Sequence, residues 1–526
     1  MSIGGDNLDN ITSSRVTTKR ERRDYGLFFI GQNMFYLFVM NFIQNYFTDV
    51  VGMAAGTVAI IILIARLWDA VNDPIFGGIV DRSRLKGGRF KPWLKLSLCI
   101  LPIFTIGLFA VPSGLALPIK TAICAIVYFV WGMAFTVCDV PIYSLSTAMT
   151  NNMQERTALI ARGRLNSTFG IMAVILATVP LTGLFSRLIG NESQAWLIVA
   201  VIFSVIAFFF MRPIAKSATE RFIDQSTKAL SIKGIFSYLK SNKYLLIFYS
   251  AMIIFSLTNT VSTLSLYFAT VNLGDKNMFI VVTLITMIGA PFVSIFLPKL
   301  NKKFDKFQIF MFGMAVAIVT SVIIYFVGYE GVRFVPFLIL SFIRGVGFSC
   351  TMVMSYMFAA DCIEYGTYKS GKRAEGITFS IQTFTTKMTG AISGFIAMGL
   401  LGWFFNYQSA YYVDNVLISP VQPQSAVTGI WFMYSIFPAI GAIIAFIILI
   451  LLYKLRDNDV QIMANVNSGE ITVEEGERLL NEKHGGDVKS ESSEEGERPL
   501  NEEHDGEEEG SSNEEHDEDN KNKPVE

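Results

Sequence analysis

The chain has 526 residues, 52% of them hydrophobic and only 17% charged, with 44 Phe, a makeup that excludes an ordinary soluble domain. Its formal net charge of −1 hides a segregation: residues 1–460 hold 37 Lys and Arg against 22 Asp and Glu, and residues 461–526 hold 6 against 22. A basic membrane body thus carries an acidic tail, and all three histidines (His484, His504, His516) lie in that tail, leaving the body carboxylates, Lys, Tyr and amides for proton or cation chemistry.

In chain order, residues 1–24 are polar and basic, with no apolar core of a cleaved signal peptide. At ~20 apolar residues per span, membrane helices are predicted near 26–48, 56–80, 93–112, 116–147, 165–188, 194–211, 243–270, 277–298, 307–328, 334–360, 374–406 and 425–453. The fourth and eleventh are long enough to tilt or to extend beyond a bilayer. Five cysteines (Cys99, Cys124, Cys138, Cys350, Cys362) lack CxxC spacing and read as small buried hydrophobes.

Thirty Lys and Arg fall in the N-terminus, in loops after even-numbered segments and in residues 454–460. Four, Lys120, Arg187, Lys276 and Arg333, fall in loops after odd-numbered ones. The positive-inside rule then predicts that both termini are cytoplasmic. The basic stretch 212–242 divides the body into six-helix bundles over 25–211 and 243–455, a layout of transporters built from two pseudo-symmetric halves. In the tail, 456–526, Glu474-Glu475-Gly-Glu-Arg-Leu-Leu-Asn481 returns as Glu494-Glu495-Gly-Glu-Arg-Pro-Leu-Asn501. A short helix is expected near 472–483 and largely disorder beyond it.

Three charged residues remain inside spans, Arg66, Arg344 and Lys387, together with the acids Asp69, Asp73 and Asp139. A charge at the bilayer centre costs roughly 2.5–3.5 kcal/mol on insertion scales. Arg66, Asp69 and Asp73 recur at i, i+3 and i+7 with Asn72 alongside, so they share one helix face. Asp69 and Asp73 can converge oxygens on a small hard cation; with no metal bound, two close carboxylates repel and one should hold a proton. The structural alternative is ion pairing with Arg66 or Lys387. Asp139 stands one turn beyond Thr136; a buried carboxylate there can accept two hydroxyls of a polar solute, with Arg164 to orient it or to donate as well. After the second segment, Gly77-Gly78-Ile-Val-Asp81-Arg82 leads to Gly87-Gly88-Arg89: glycines that let helix ends approach, and charges that lock them.

Gly77-x-x-x-Asp81-Arg82 followed by Gly88-Arg89 resembles the signature loop of the major facilitator superfamily. Tyr46-Phe-Thr48-Asp49, Ala65-Arg66-Leu-Trp68-Asp69-Ala-Val-Asn72-Asp73-Pro74, Trp131 through Leu145, and Asp361-Cys-Ile-Glu364-Tyr365-Gly366 extend the match. Over about residues 25–455 the chain resembles the glycoside–pentoside–hexuronide:cation symporters, the melibiose-permease-like branch. The resemblance implies an all-α membrane fold of twelve helices in two halves. It makes Asp69, Asp73, Asn72 and Thr136 cation-site residues, and Asp139 and Arg164 sugar-site residues. Tyr143 matches a tryptophan that stacks on the sugar, Gln382 and Thr383 match further sugar contacts or interhelical hydrogen bonds, and Lys387 matches a coupling lysine. Where the branch has a lysine and a sugar-gripping acid, this chain has Gln32-Asn33, whose bonds to hydroxyls are weaker. A pentoside or another glycoside is therefore as well expected as a galactoside.

The expected function is uptake of such a sugar, across a bacterial plasma membrane, coupled to Na⁺, H⁺ or Li⁺ and with no other cofactor. Expected partners are the sugar, the cation and the bilayer, with no nucleic acid. A uniporter, an efflux carrier and a non-transporting sugar sensor are the rivals. An enzyme is not expected: Gly366-x-x-x-x-Gly371-Lys372-Arg373 ends in Arg where a phosphate loop needs Ser or Thr.

Overall fold

A computed structural model of the chain describes residues 16–83, 85–112, 114–150, 152–222, 242–301, 303–371, 375–413 and 416–483. Arg84, Lys372, most of the central loop (223–241), the histidine-bearing repeats beyond 483 and the side chains of Asp81, Gln382, Thr383 and Lys387 lie outside the described residues. Eleven described helices are long and apolar enough to cross a membrane, and the expected eleventh segment contributes a shorter apolar stretch over Met388–Phe404.

The N-terminal half contains α1 (Lys19–Asn45), α2 (Ala55–Arg82), α3 (Lys91–Phe109), α4 (Leu117–Met149), α5 (Met153–Ile189) and α6 (Glu192–Ser217). Helix α1 opens on a capping box: the Thr18 hydroxyl accepts from the Glu21 N–H while the Glu21 carboxylate accepts from the Thr18 N–H at 2.8 Å. It closes in a π-helical turn, Tyr46–Val51, stopped by Gly52 at φ +89°. α1 packs on α5 and α6, and α3 on α4. An aromatic cluster at their junction stacks Phe109 on Trp196 at 5.9 Å between centroids. Lipid tails are as apolar as these side chains, so shape and dispersion rather than dehydration hold the helices together.

The second half departs from the expected segments at three breaks, at Thr258–Thr260, Ile288 and Ile436. The helix expected over 243–270 divides into α7 (Lys243–Leu257) and α8 (Val261–Tyr267). Thr258-Asn259-Thr260 between them are short polar residues that compete for backbone groups. Thr260 Oγ1 donates to the Met433 carbonyl at 2.6 Å, and the Asn259 carbonyl accepts from Ser393 Oγ at 2.9 Å. Then follow α9 (Met278–Met287), α10 (Gly289–Leu300), α11 (Lys306–Val327), α12 (Phe334–Ser370) and α13 (Glu375–Gly399), which ends in a π turn, Leu400–Phe404. The last segment also divides, into α14 (Gln424–Ser435) and α15 (Phe437–Leu452). Pro438 has no N–H for the Tyr434 carbonyl one turn back. The fully buried Arg344 of α12 donates to that carbonyl instead, at 2.8 Å.

The first helical stretch of each half ends alike. Tyr46-Phe47-Thr48 closes α1 and Tyr267-Phe268-Ala269 closes α8, and each passes into a π turn, the second spanning Phe268–Asn272. In this register Asn41 corresponds to Ser262.

The halves are sealed at the end opposite the basic loops. A strap between α13 and α14, with a hairpin of β1 (Tyr411–Val413) and β2 (Val416–Ile418), lies on the N-terminal half. Tyr407 OH donates to Asp49 Oδ1 at 2.8 Å, Ser409 Oγ to the Met53 carbonyl at 2.6 Å, Tyr412 OH to the Val50 carbonyl at 2.9 Å, and the Ala410 N–H to the Thr48 carbonyl at 3.2 Å. Lys120 sits 4.3 Å above the Tyr412 ring, and Lys276 pairs with Glu192 at 2.8 Å. Helices α2 and α13 also pack across the halves.

Residues just past the last expected span, assigned by composition to the tail, form α16 (Asp457–Asn467), which packs on α12. Lys306 bridges Asp361 at 2.5 Å and Asp457 at 3.2 Å, so charge pairing at the helix ends orders a stretch that composition alone leaves loose. Separately, residues from Ile471 onward form a unit of their own, in which the expected short helix is α17 (Val473–Lys483).

Candidate functional site

Between the halves lies a cavity of about 210 Å³. Asp69 and Asp73 of α2 line it together with Thr136 of α4, and Asn72 stands at its edge through a bond to Thr136. Helical spacing puts the acids on one face, and α4 supplies the partner. Thr136 Oγ1 donates to Asp73 Oδ1 at 2.8 Å and accepts from Asn72 Nδ2 at 3.1 Å. Gly132 lets Asp69 reach the α4 backbone: a Cβ there would stand 2.5 Å from Asp69 Oδ1. The four expected cation-site residues are thus brought together across two helices. Two carboxylates, a hydroxyl and an amide oxygen form a set suited to a small hard cation or to a proton.

Arg66 donates to Asp69 Oδ2 at 3.1 Å and also contacts the Met40 sulfur. Asp69 therefore has Arg66 as a counter-charge, and Asp73 accepts from the Thr136 hydroxyl. Trp131 braces the wall behind them, donating to Thr105 Oγ1 at 2.9 Å and stacking on Phe135 at 5.5 Å.

The expected sugar-site residues are placed differently. Asp139 accepts from Gln32 Nε2 at 2.7 Å, and Tyr143 meets the Phe29 ring edge-on at 5.5 Å. Asn33 donates to the Phe29 carbonyl of its own helix at 2.9 Å. Arg164 is exposed on α5. None of these five lines the 210 Å³ cavity. The side chains of Gln382, Thr383 and Lys387 lie outside the described residues. The cavity's polar lining also includes residues that the sequence reading passed over: Tyr36, Asn41 and Gln44 of α1, Tyr128 of α4, Ser262 and Thr263 of α8, and Thr386 of α13. The available signal was the run of amides Asn41, Gln44 and Asn45 at helical spacing in an otherwise apolar segment.

At the basic end, the expected close approach at Gly77 is not used: among the described residues an added Cβ there, or at Gly78, would meet nothing within 4 Å. Arg82 is exposed, and the side chain of Asp81 lies outside the described residues. Gly88 and Arg89 have a partner that the sequence reading missed, Glu220. Its carboxylate accepts from the N–H groups of Arg89 at 2.6 Å, Phe90 at 3.0 Å and Lys91 at 2.8 Å, capping the first turn of α3. Gly88, at φ +121°, leaves room for that carboxylate, which a Cβ would meet at 2.6 Å. Neighbouring Arg221 pairs with Glu21 at 3.0 Å, so residues 219–221 clasp α1 and α3 together.

Comparison with known proteins agrees with this architecture. A family model described as MFS/sugar transport protein matches residues 25–457. The uncharacterized symporter YjmB of Bacillus subtilis is 29% identical over 456 residues, 85% of this chain and 94% of that protein. The glucuronide carrier protein homolog of Escherichia coli is 27% identical, covering 82% of this chain and 92% of its own length. The isoprimeverose transporter of Lactiplantibacillus pentosus is 27% identical, covering 72% and 79%. Among solved structures, the nucleoside transporter NupG aligns with a TM-score of 0.58 at 12% identity, over 81% of this chain and 99% of its own, a likeness of fold alone. With a family model spanning most of its length and a bundle of apolar helices around a polar cavity, the chain belongs to the MFS/sugar transport protein family, as a multi-pass membrane transporter and not an enzyme.

Proposed function

We propose that this chain is a secondary active sugar transporter in which a monovalent cation, Na⁺ or H⁺, binds at Asp69 and Asp73 and is coupled to movement of the sugar. The observation that carries the reading is that both carboxylates line the same closed-in cavity as a set of neutral hydroxyls and amides. A cation bound at the acids and a sugar beside it share walls, so each can alter the other's affinity, by the same factor in both directions. Thr136, bonded to Asp73, and Asn72, bonded to Thr136, are the groups that would complete the oxygen set. With the basic end in the cytoplasm, the strap seals the outside, and the sealed arrangement corresponds to the inward-facing member of an alternating-access pair.

Relatives named for a glucuronide and for isoprimeverose bracket an acidic and a neutral sugar, so both kinds belong in a test. The experiment is uptake of labelled pentosides, hexosides and uronides by proteoliposomes under Na⁺, Li⁺ or pH gradients. Accumulation of at least one sugar should require one gradient. Asp73→Asn should remove that requirement, while exchange of labelled for unlabelled sugar persists. Accumulation indifferent to every gradient overturns the coupling, and no exchange of any sugar overturns the carrier.

A further inference from the structure

The cavity's second wall has not been accounted for by the cation site. Facing Asp69 and Asp73 are Asn41 and Gln44 from α1 and Ser262 and Thr263 from α8. None of these four side chains makes a hydrogen bond within the protein among the described residues, and the Gln44 Oε1 atom is buried without a partner. Here α8 begins just after the break at Thr258–Thr260, and the Asn259 carbonyl, one turn before Thr263, already accepts from Ser393. Two hydroxyls and two amides are therefore left with unspent bonding capacity around one cavity. Asn41 and Ser262 also stand at the same spacing, five residues before Tyr46 and Tyr267 in their respective halves.

We propose that Asn41, Gln44, Ser262 and Thr263 are the specificity-determining contacts for the sugar's hydroxyls. The inference rests on the sugar-transport reading and deepens it. Neutral donors and acceptors suit hydroxyls, which both donate and accept. The cavity brings those groups together around one space, beside the two acids. Contact from both halves matters mechanically. A solute can shift the equilibrium between two states only if it binds them unequally. A ring touched by α1 from one half and by α8 from the other is held differently whenever the halves rock apart. Residues on α1, α4 and α5 alone, such as Gln32, Asp139 and Arg164, belong to a single half and move as one body with it.

The test is sugar binding and transport by Thr263→Val, which keeps the shape and removes the hydroxyl, with Thr263→Ser restoring it, and by Asn41→Ala. Sugar affinity should fall about tenfold in Thr263→Val and Asn41→Ala, and the order of preference among epimers should change. Thr263→Ser should return both toward the parent. Cation binding without sugar should stay within twofold of the parent in all three. Parent-like affinity and epimer preference in both Thr263→Val and Asn41→Ala would overturn this assignment while leaving the transporter reading intact. Failure of the parent itself to bind any sugar would instead overturn that reading, and this inference with it.

Discussion

Glu155 shows how much a single buried side chain can organise at the basic end. Its carboxylate accepts from the Val16 N–H at 3.2 Å, the Thr17 N–H at 3.0 Å and the hydroxyls of Thr17 and Thr150, tying the segment before α1 to the start of α5. Burial alone raises its pKa, but the hydrogen bonds from Thr17 and Thr150 outweigh that and hold the carboxyl below the ordinary 4.5. A lowered folded value means that the stabilisation is fully present above pH 4.5 and is lost as the pH falls through the folded pKa. Glu155→Gln should therefore lower the thermal midpoint of the purified protein by about 2–4 °C at pH 7. The difference from the parent should shrink below pH 4.5. Equal midpoints at pH 7 would show that the carboxylate adds nothing. Neither this contact nor the Glu220 cap is legible in the sequence, because each joins residues 129 or more positions apart. The acids of α2 are legible for the opposite reason: one helix face sets their spacing, and only the partner Thr136 had to come from elsewhere.

At the scale of elements, apolar run length located the spans, since a helix crossing lipid must satisfy its own backbone bonds, but polar helix ends escaped it: α5 begins at Met153, ahead of the expected 165, and α12 runs to Ser370, past the expected 360. The breaks at Thr258–Thr260 and at Ile436 were not anticipated, because three short polar residues or one proline inside a long apolar run leave its mean character unchanged. Turn chemistry was half legible: the glycines at 87 and 88 announce a tight connection, but not what it encloses. Both take positive φ, yet only Gly88 faces the Glu220 carboxylate. Gly88→Ala should thus cost more stability than Gly87→Ala, by about 1–3 kcal/mol, the worth of hydrogen bonds to a charged group. In a Glu220→Ala background the two alanine variants should become equivalent. Thermal midpoints of the five proteins check this, and an excess cost at Gly88 that survives removal of Glu220 would place its origin in the backbone instead.

At the scale of the whole molecule, the proposed alternating access requires the strap over the end opposite the basic loops to detach each time the halves exchange openings. Its bonds reach the N-terminal half at Thr48, Asp49, Val50 and Met53, all within or just after one π turn. A disulfide between Thr48→Cys and Ala410→Cys, made without the native cysteines, should hold that seal shut. Transport should drop at least tenfold on oxidation and recover with reductant, while sugar still binds from the basic side. Undiminished transport by a fully cross-linked sample would mean that the seal does not open in the cycle. Elsewhere in the second half, the bend at Pro438 and the guanidinium of Arg344 form a single inherited unit. Restoring a straight helix there would strand a positive charge in oil, and deleting the charge would leave a bare carbonyl in the same place. Either change alone meets a penalty that the two made together avoid, so drift at this joint is confined to paired steps.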